Sequence, residues 1–170
     1  MKKLGKLALW TYIILLIWIL LFKFSLSQSD ILNKILEGDR HSINLIPFSL
    51  TWSKYEAIAN ILVFIPLGLL LAGDFIRLSV KLKISIIFLF SFFIESSQYI
   101  LSLGVPDVTD LLTNGLGGII GFAIYNFLQT FLPRKKLDRG IIVLYILTFC
   151  FLLLGIFYLV EIRGIRIRYF

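Results

Sequence analysis

The chain has 170 residues, of which 59% are hydrophobic and only 16% are charged, and its mean hydropathy is +0.94. A water-soluble domain of this length covers itself with polar and charged side chains, so this composition excludes an ordinary soluble protein. The formal net charge of +7 does not indicate nucleic-acid binding, because the basic residues lie mostly in short segments between apolar runs.

Five apolar runs approach the roughly 20 residues that a helix needs to cross about 30 Å of hydrocarbon. The first is interpreted as a retained span, since it is longer than the core of a signal peptide and no small-residue cleavage site follows it. The sequence therefore predicts an all-α membrane protein, a small bundle of about five transmembrane helices in the cell membrane. The predicted spans are Leu7–Phe24, Ala57–Ala72, Leu82–Leu103, Leu111–Leu132 and Ile141–Val160.

The first outer loop is expected to carry a short helix that lies in the membrane interface. Ser29 and Asp30 can cap it, and its apolar residues fall on one face. Those apolar residues are Ile31, Leu32, Ile35 and Leu36. Trp52 and Tyr55, later in the same loop, suit the level of the lipid headgroups.

The second span is short and contains Pro66 and Gly68. Proline removes a hydrogen-bond donor and clashes with the preceding turn, so we expect a kink there. A re-entrant segment is the alternative for this part of the chain.

Basic residues predict an orientation with the N-terminus inside the cell and the C-terminus outside. The N-terminus and the two loops on its side carry three, three and four Lys or Arg residues, against six or seven on the other side. The basic C-terminal tail is the discordant feature. The residues counted as cytoplasmic are Lys2, Lys3, Lys6, Arg77, Lys81, Lys83, Arg134, Lys135, Lys136 and Arg139.

Glu95 is the most informative residue, because it falls deep within the third span. An ionised carboxylate in hydrocarbon costs roughly 2.5–3.5 kcal/mol, so this one should be protonated, paired or facing a wet cavity. Ser91, Glu95, Gln98 and Ser102 step by four, three and four residues along one helical face. A polar stripe of this kind is expected to face protein or water rather than lipid.

The fourth span carries a matching face. Asp107 and Asp110 flank its predicted start, where carboxylates accept free backbone N–H groups, and Asn114 follows one turn later. Gly117, Gly118 and Gly121 are interpreted as packing residues; the G-x-x-x-G spacing serves packing within the chain or a dimer equally well, so the oligomeric state stays open.

The predicted topology places the costly polar groups in the outer half of the membrane. Glu56 and Asn60 lie near the outer end of the second span. The candidate binding residues are Asn44, Asn60, Glu95, Gln98, Asp107, Asp110 and Asn114.

The same residues carry a family resemblance. The segments Asn44–Phe48 and Asn60–Gly68, then Glu95 with Gln98 three residues later, resemble motifs of the VanZ-like membrane proteins. The pattern continues through Gly104, Asp107, Asp110, Asn114, Gly117, Gly118 and Gly121. The resemblance implies one VanZ-like transmembrane domain over residues 1–170, in the cell membrane of a Gram-positive bacterium. It further implies a multi-pass envelope protein that lowers susceptibility to teicoplanin-type lipoglycopeptide antibiotics.

Several roles remain open for the polar cluster. The side chains can hold the helices together, or bind or shield at the outer leaflet, where the partner is a membrane lipid, a lipid-linked cell-wall precursor or a lipoglycopeptide. The third alternative is an enzyme acting on a lipid headgroup, with Glu95, Asp107 and Asp110 as candidate catalytic acids and bases. A transport role is weaker, since the predicted inner half lacks comparable polar groups. No cofactor or resident metal is expected, although Asp107, Asp110 and Glu95 are ligands that a divalent cation accepts.

Overall fold

The computed structural model describes residues 2–22, 45–48, 54–73, 78–101 and 107–161, and beyond residue 151 it describes the side chains of residues 153 and 154 alone. These stretches contain five α-helices and no strand, as the all-α prediction requires. The helices are α1 (Lys2–Phe22), α2 (Lys54–Ala72), α3 (Val80–Ile100), α4 (Val108–Gln129) and α5 (Arg134–Glu161).

Three of these helices, α1, α2 and α4, are long and apolar enough to cross a membrane, judged by length and composition. The helix α3 has 21 residues but carries Lys81, Lys83 and Glu95, and α5 opens on basic residues. Across the described residues many large apolar side chains face outward, whereas nine polar or charged side chains of α2, α3 and α4 are buried. This distribution is consistent with a helical membrane protein.

Caps, rather than the limits of the apolar runs, determine where α3 and α4 begin. Ser79 precedes α3 and its hydroxyl accepts a 3.3 Å hydrogen bond from the Leu82 N–H. Asp107 precedes α4 and its carboxylate accepts a 2.7 Å hydrogen bond from the Thr109 N–H. Both helices therefore begin before the predicted spans, and the prediction that Asp107 lies at the helix start is confirmed.

The helix α2 runs without interruption through Pro66. Its 19 residues amount to about 28 Å at 1.5 Å per residue, which favours a full crossing over a re-entrant segment. The expected kink stays a prediction. The expected interfacial helix around Ile31 to Leu36, together with Trp52, lies outside the described residues.

Two of the basic residues counted in the loop before the third span, Lys81 and Lys83, lie in the first turn of α3. Lys83, expected in a loop, is buried there. Its ammonium group donates hydrogen bonds of 3.2 Å and 3.3 Å to the carbonyl oxygens of Ala72 and Gly73. A cation on these carbonyls satisfies acceptors at the C-terminal end of α2 and complements the helix dipole.

The helices α2 and α4 form the most extensive contact of the bundle, and their backbones touch. A Cβ atom added to Gly117 would overlap the carbonyl oxygen of Ile61, and one added to Gly121 would overlap that of Ile65. Because both residue numbers rise together along this contact, α2 and α4 run parallel. The G-x-x-x-G of α4 thus serves packing within the chain.

Glycines also allow a close approach on the side of α4 that faces α3. A Cβ on Gly118 would overlap the side chain of Ile87, and one on Gly115 the ring of Phe88, both on α3. Gly68 of α2 in turn contacts the carbonyl oxygen of Gly118. The helix α4 is therefore held between α2 and α3, closer than side chains would allow.

Replacing Gly121 by alanine should destabilise the protein by about 2 kcal/mol, because overpacked contacts typically cost 1–3 kcal/mol and a backbone oxygen cannot move aside alone. The measurement is the free energy of unfolding in detergent. Gly140→Ala is the matched control, since nothing lies within 4 Å of a Cβ there. Equal stability of the two variants would contradict the close α2–α4 contact.

Candidate functional site

A cavity of about 310 Å³ opens among four helices at one end of the bundle. It takes in the start of α2, the end of α3, the start of α4 and the end of α1. These ends meet because consecutive spans reverse direction. The lining residues are Ile19, Leu20, Tyr55, Glu56, Ala59, Asn60, Val63, Ile94, Glu95, Gln98, Asp110 and Asn114.

Asn60 and Asp110 join α2 to α4 at the cavity wall. The Asn60 amide donates a 2.9 Å hydrogen bond to a carboxylate oxygen of Asp110. Both side chains are buried, with 8% of each exposed. Hydrogen bonds between polar side chains of neighbouring helices help to hold a membrane bundle together, so this contact helps to hold the cavity's shape.

Glu95 is buried on α3, as its polar stripe predicts, and lines the cavity. One of its carboxylate oxygens accepts a 3.2 Å hydrogen bond from the backbone N–H of Asp107. This N–H belongs to the residue that caps α4, where the helix dipole favours negative charge. Glu95 therefore links α3 to the start of α4 as well as facing the cavity.

Two buried amides complete the connections between helices. The Gln98 amide nitrogen donates a 2.9 Å hydrogen bond to the carbonyl oxygen of Leu20 on α1. The Asn114 amide nitrogen donates a 3.0 Å hydrogen bond to the hydroxyl of Ser91 on α3. The polar stripe on α3 thus contacts two other helices.

The oxygen atoms of the same two amides have no hydrogen-bond partner among the residues that the structure describes. Gln98 is 2% exposed and Asn114 is 1% exposed, so neither oxygen reaches bulk water. A buried acceptor without a donor costs about 1–3 kcal/mol. Native proteins carry few such groups, and each calls for a specific reason.

The partner of Gln98 determines how its amide is oriented. The Leu20 carbonyl oxygen only accepts hydrogen bonds, so the nitrogen of Gln98 must face it and the oxygen must point elsewhere. The Ser91 hydroxyl either donates or accepts a hydrogen bond. The orientation of the Gln98 amide is therefore fixed by its partner, whereas that of the Asn114 amide is not.

A second cavity, also of about 310 Å³, lies on the far side of Glu95 and is mainly apolar. The short segment of residues 45–48 contributes Leu45 to its wall, and Asp107 lies at its edge. The Phe48 N–H donates a 2.9 Å hydrogen bond to the Thr109 hydroxyl, which ties that segment to the start of α4. Glu95 thus lies between this apolar cleft and the first cavity, whose lining is the more polar of the two and which is named the polar cavity for that reason.

The structure brings five of the seven predicted binding residues to the polar cavity. Asp107 lines only the apolar cleft, and Asn44 lies outside the described residues. Among the described residues no three His, Cys, Asp or Glu side chains are placed to hold a metal ion, so a cation shared by Asp107, Asp110 and Glu95 is not supported. The sequence did not predict that the Leu20 carbonyl accepts a hydrogen bond from Gln98 or that the Thr109 hydroxyl accepts one from Phe48. A backbone carbonyl and a single threonine produce no recognisable sequence pattern.

Two comparisons with known proteins agree with each other, and each finds similarity over most of the chain. The family model described as VanZ/LLP1 matches residues 9–129, a stretch that includes every residue lining the polar cavity. Protein VanZ of Enterococcus faecium is 37% identical over 165 residues, which cover 97% of this chain and 95% of that protein. No solved structure matches the chain significantly.

The Asn60–Asp110 contact can be tested by a double-mutant cycle on the free energy of unfolding. Asn60→Ala and Asp110→Ala together should destabilise less than the sum of the two, with a coupling of about 1 kcal/mol, typical of interhelical polar pairs. Asn60→Ala combined with Thr148→Val is the control, because the Thr148 hydroxyl bonds only carbonyls of α5. Additivity in both pairs would contradict the contact.

Proposed function

Because this chain belongs to the VanZ/LLP1 family, we propose that it is a multi-pass protein of the bacterial cell membrane that lowers susceptibility to teicoplanin-type lipoglycopeptides. It would act by binding an amphiphile at the outer leaflet, which limits access of the antibiotic to its target. The observation that carries this proposal is the polar cavity beside an apolar cleft, with Glu95 between them.

The pairing of these cavities suits an amphiphile. One molecule can place its polar head among carboxylates and amides while its hydrocarbon part lies on the apolar cleft or in surrounding lipid. Ligand sites are commonly cavities of about 300–1,000 Å³ with a few placed polar groups, and the polar cavity falls at the lower end of that range.

The proposed orientation has the N-terminus in the cytoplasm, so that α2 and α4 enter from the outside. The cavity lies at the starts of these two helices and would then face the cell wall. The basic residues in the first turns of α1 and α5 support this direction. An interfacial helix in the first outer loop would extend the same surface.

Expression in a susceptible Gram-positive host should raise tolerance to teicoplanin more than to vancomycin. Teicoplanin carries an acyl chain, and an effect exerted through an amphiphile at the membrane surface acts on a lipidated antibiotic more strongly. The measurement is the inhibitory concentration of each antibiotic with and without the protein. Equal changes for both would contradict the amphiphile mechanism.

Glu95→Gln and Asp110→Asn should each abolish most of the protection while the protein stays at normal abundance in the membrane. Both substitutions keep the size of the side chain and remove its carboxyl group from the cavity. Ser97→Ala is the control on α3, since that hydroxyl bonds the Phe93 carbonyl of its own helix. Full protection by both acid variants would contradict the proposal, and a parallel loss of abundance would indicate a purely structural role.

A further inference from the structure

The start of α5 lies at the end of the bundle opposite the polar cavity. Leu137, in the first turn of α5, is buried in one cluster with Ala72 at the end of α2 and Tyr125 near the end of α4. The polar cavity lies at the beginnings of α2 and α4, so the ends of these helices are remote from it. The Tyr125 hydroxyl also donates a 2.7 Å hydrogen bond to Asp138, which holds the first turns of α5 against the bundle.

The start of α1 lies beside the start of α5. The Tyr12 hydroxyl donates a hydrogen bond to the Val63 carbonyl in the middle of α2, and Leu20, further along α1, lines the polar cavity at the beginning of α2. Since α1 therefore runs antiparallel to α2, it begins near the end of α2. The hydroxyls of Thr11 and Tyr145 are 2.8 Å apart and join α1 to α5, and both helices begin about three turns before this contact.

The two neighbouring helix starts carry exposed basic side chains. Among the described residues of this end Asp138 is the one acid, and its carboxylate accepts the hydrogen bond from Tyr125. The carboxyl groups of Glu56, Glu95 and Asp110 lie at the opposite end, around the polar cavity. We name the following exposed residues the basic patch: Lys2, Lys3, Lys6, Lys135, Lys136 and Arg139.

The position of the basic patch along the helices matches the level of lipid headgroups. The helix α1 is long and apolar enough to cross a membrane, and its lysines lie at one extreme of it. In α5 the basic residues likewise precede an apolar run that begins at Ile141. With α1 across the membrane, the basic first turns of both helices lie where a helix leaves the hydrocarbon and meets the headgroups of one leaflet.

We propose that the basic patch binds the phosphate groups of anionic phospholipids, such as phosphatidylglycerol, in the leaflet at its end of the bundle. Clustered Lys and Arg side chains next to a membrane helix attract anionic headgroups, and two helices packed side by side hold these charges together. The inference rests on the membrane placement in the proposed function but not on the antibiotic role. It gives these residues a role in the folded protein, beyond that of directing insertion.

Competition between two lipids with identical acyl chains tests the proposal. Phosphatidylglycerol has a net negative charge, whereas the phosphate of phosphatidylcholine is balanced by the cation of its own headgroup. The purified full-length protein in detergent is incubated with equal amounts of both, and the lipid that co-purifies with it is quantified by mass spectrometry.

Phosphatidylglycerol should be retained about tenfold more than phosphatidylcholine at low salt, and the preference should shrink at 0.5 M NaCl, since salt screens exposed charges. Equal retention of the two lipids at low salt would overturn the proposal and would leave the basic residues as insertion signals alone. A preference that salt does not weaken would also overturn it, because the selection would not come from exposed charges.

Single substitutions locate the effect on the surface. Lys3→Gln and Lys136→Gln, one on each helix, should each lower the retention of phosphatidylglycerol about fivefold, the factor expected for one basic residue near anionic headgroups. Lys136→Arg keeps the charge and should keep the retention. Lys54→Gln is the matched control, because Lys54 is exposed at the opposite end of the bundle and its loss changes the net charge equally. Equal losses in Lys54→Gln and Lys136→Gln, or no loss in Lys3→Gln and Lys136→Gln, would contradict the assignment.

The antibiotic assay distinguishes failure of this inference from failure of the proposed function. Protection by the unaltered protein together with no lipid preference would refute the anionic-lipid site alone. A preference for phosphatidylglycerol that depends on Lys136, without any protection, would support the site and refute the antibiotic role alone.

Discussion

The contact between the backbones of α2 and α4 determines where the polar side chains of the cavity lie. Without a Cβ at Gly117 and Gly121, the two helices approach until main chain meets main chain. Lipid offers no hydrophobic gain for pairing helices, so close packing and polar contacts have to hold them together. The same approach brings Asn60 within hydrogen-bond distance of Asp110, and α3 then closes the cavity from its other side with Glu95 and Gln98.

The cavity's polar residues have two roles, which explains why structural and binding interpretations were hard to separate by sequence. Glu95 connects α3 to the capped start of α4, and Gln98 connects α3 to α1. If these contacts were their whole purpose, every polar atom would be expected to find a partner inside the bundle. Among the described residues the amide oxygens of Gln98 and Asn114 find none, so hydrogen bonds within the described bundle do not account for every polar atom there.

Much of this arrangement could be predicted from the sequence, because a polar residue in an apolar helix is costly and periodic spacing shows which face it occupies. The stripe through Ser91, Glu95 and Gln98 is buried as predicted, and Asp107 caps α4. The role of Lys83 could not be predicted, because hydropathy places a lysine at a helix border without showing which carbonyls it reaches. The part played by α1 was also hidden, since the Leu20 carbonyl carries no side-chain signal.

The account depends on the cavity facing the cell wall, and thiol labelling of intact cells tests this most directly. The chain has a single cysteine, Cys150, so Cys150→Ser gives a background without thiols. Into it are introduced Tyr55→Cys at the cavity mouth and Lys135→Cys at the exposed start of α5. A membrane-impermeant maleimide should label the first variant in intact cells and the second only after permeabilisation; the opposite pattern would place the cavity on the cytoplasmic side and contradict the account.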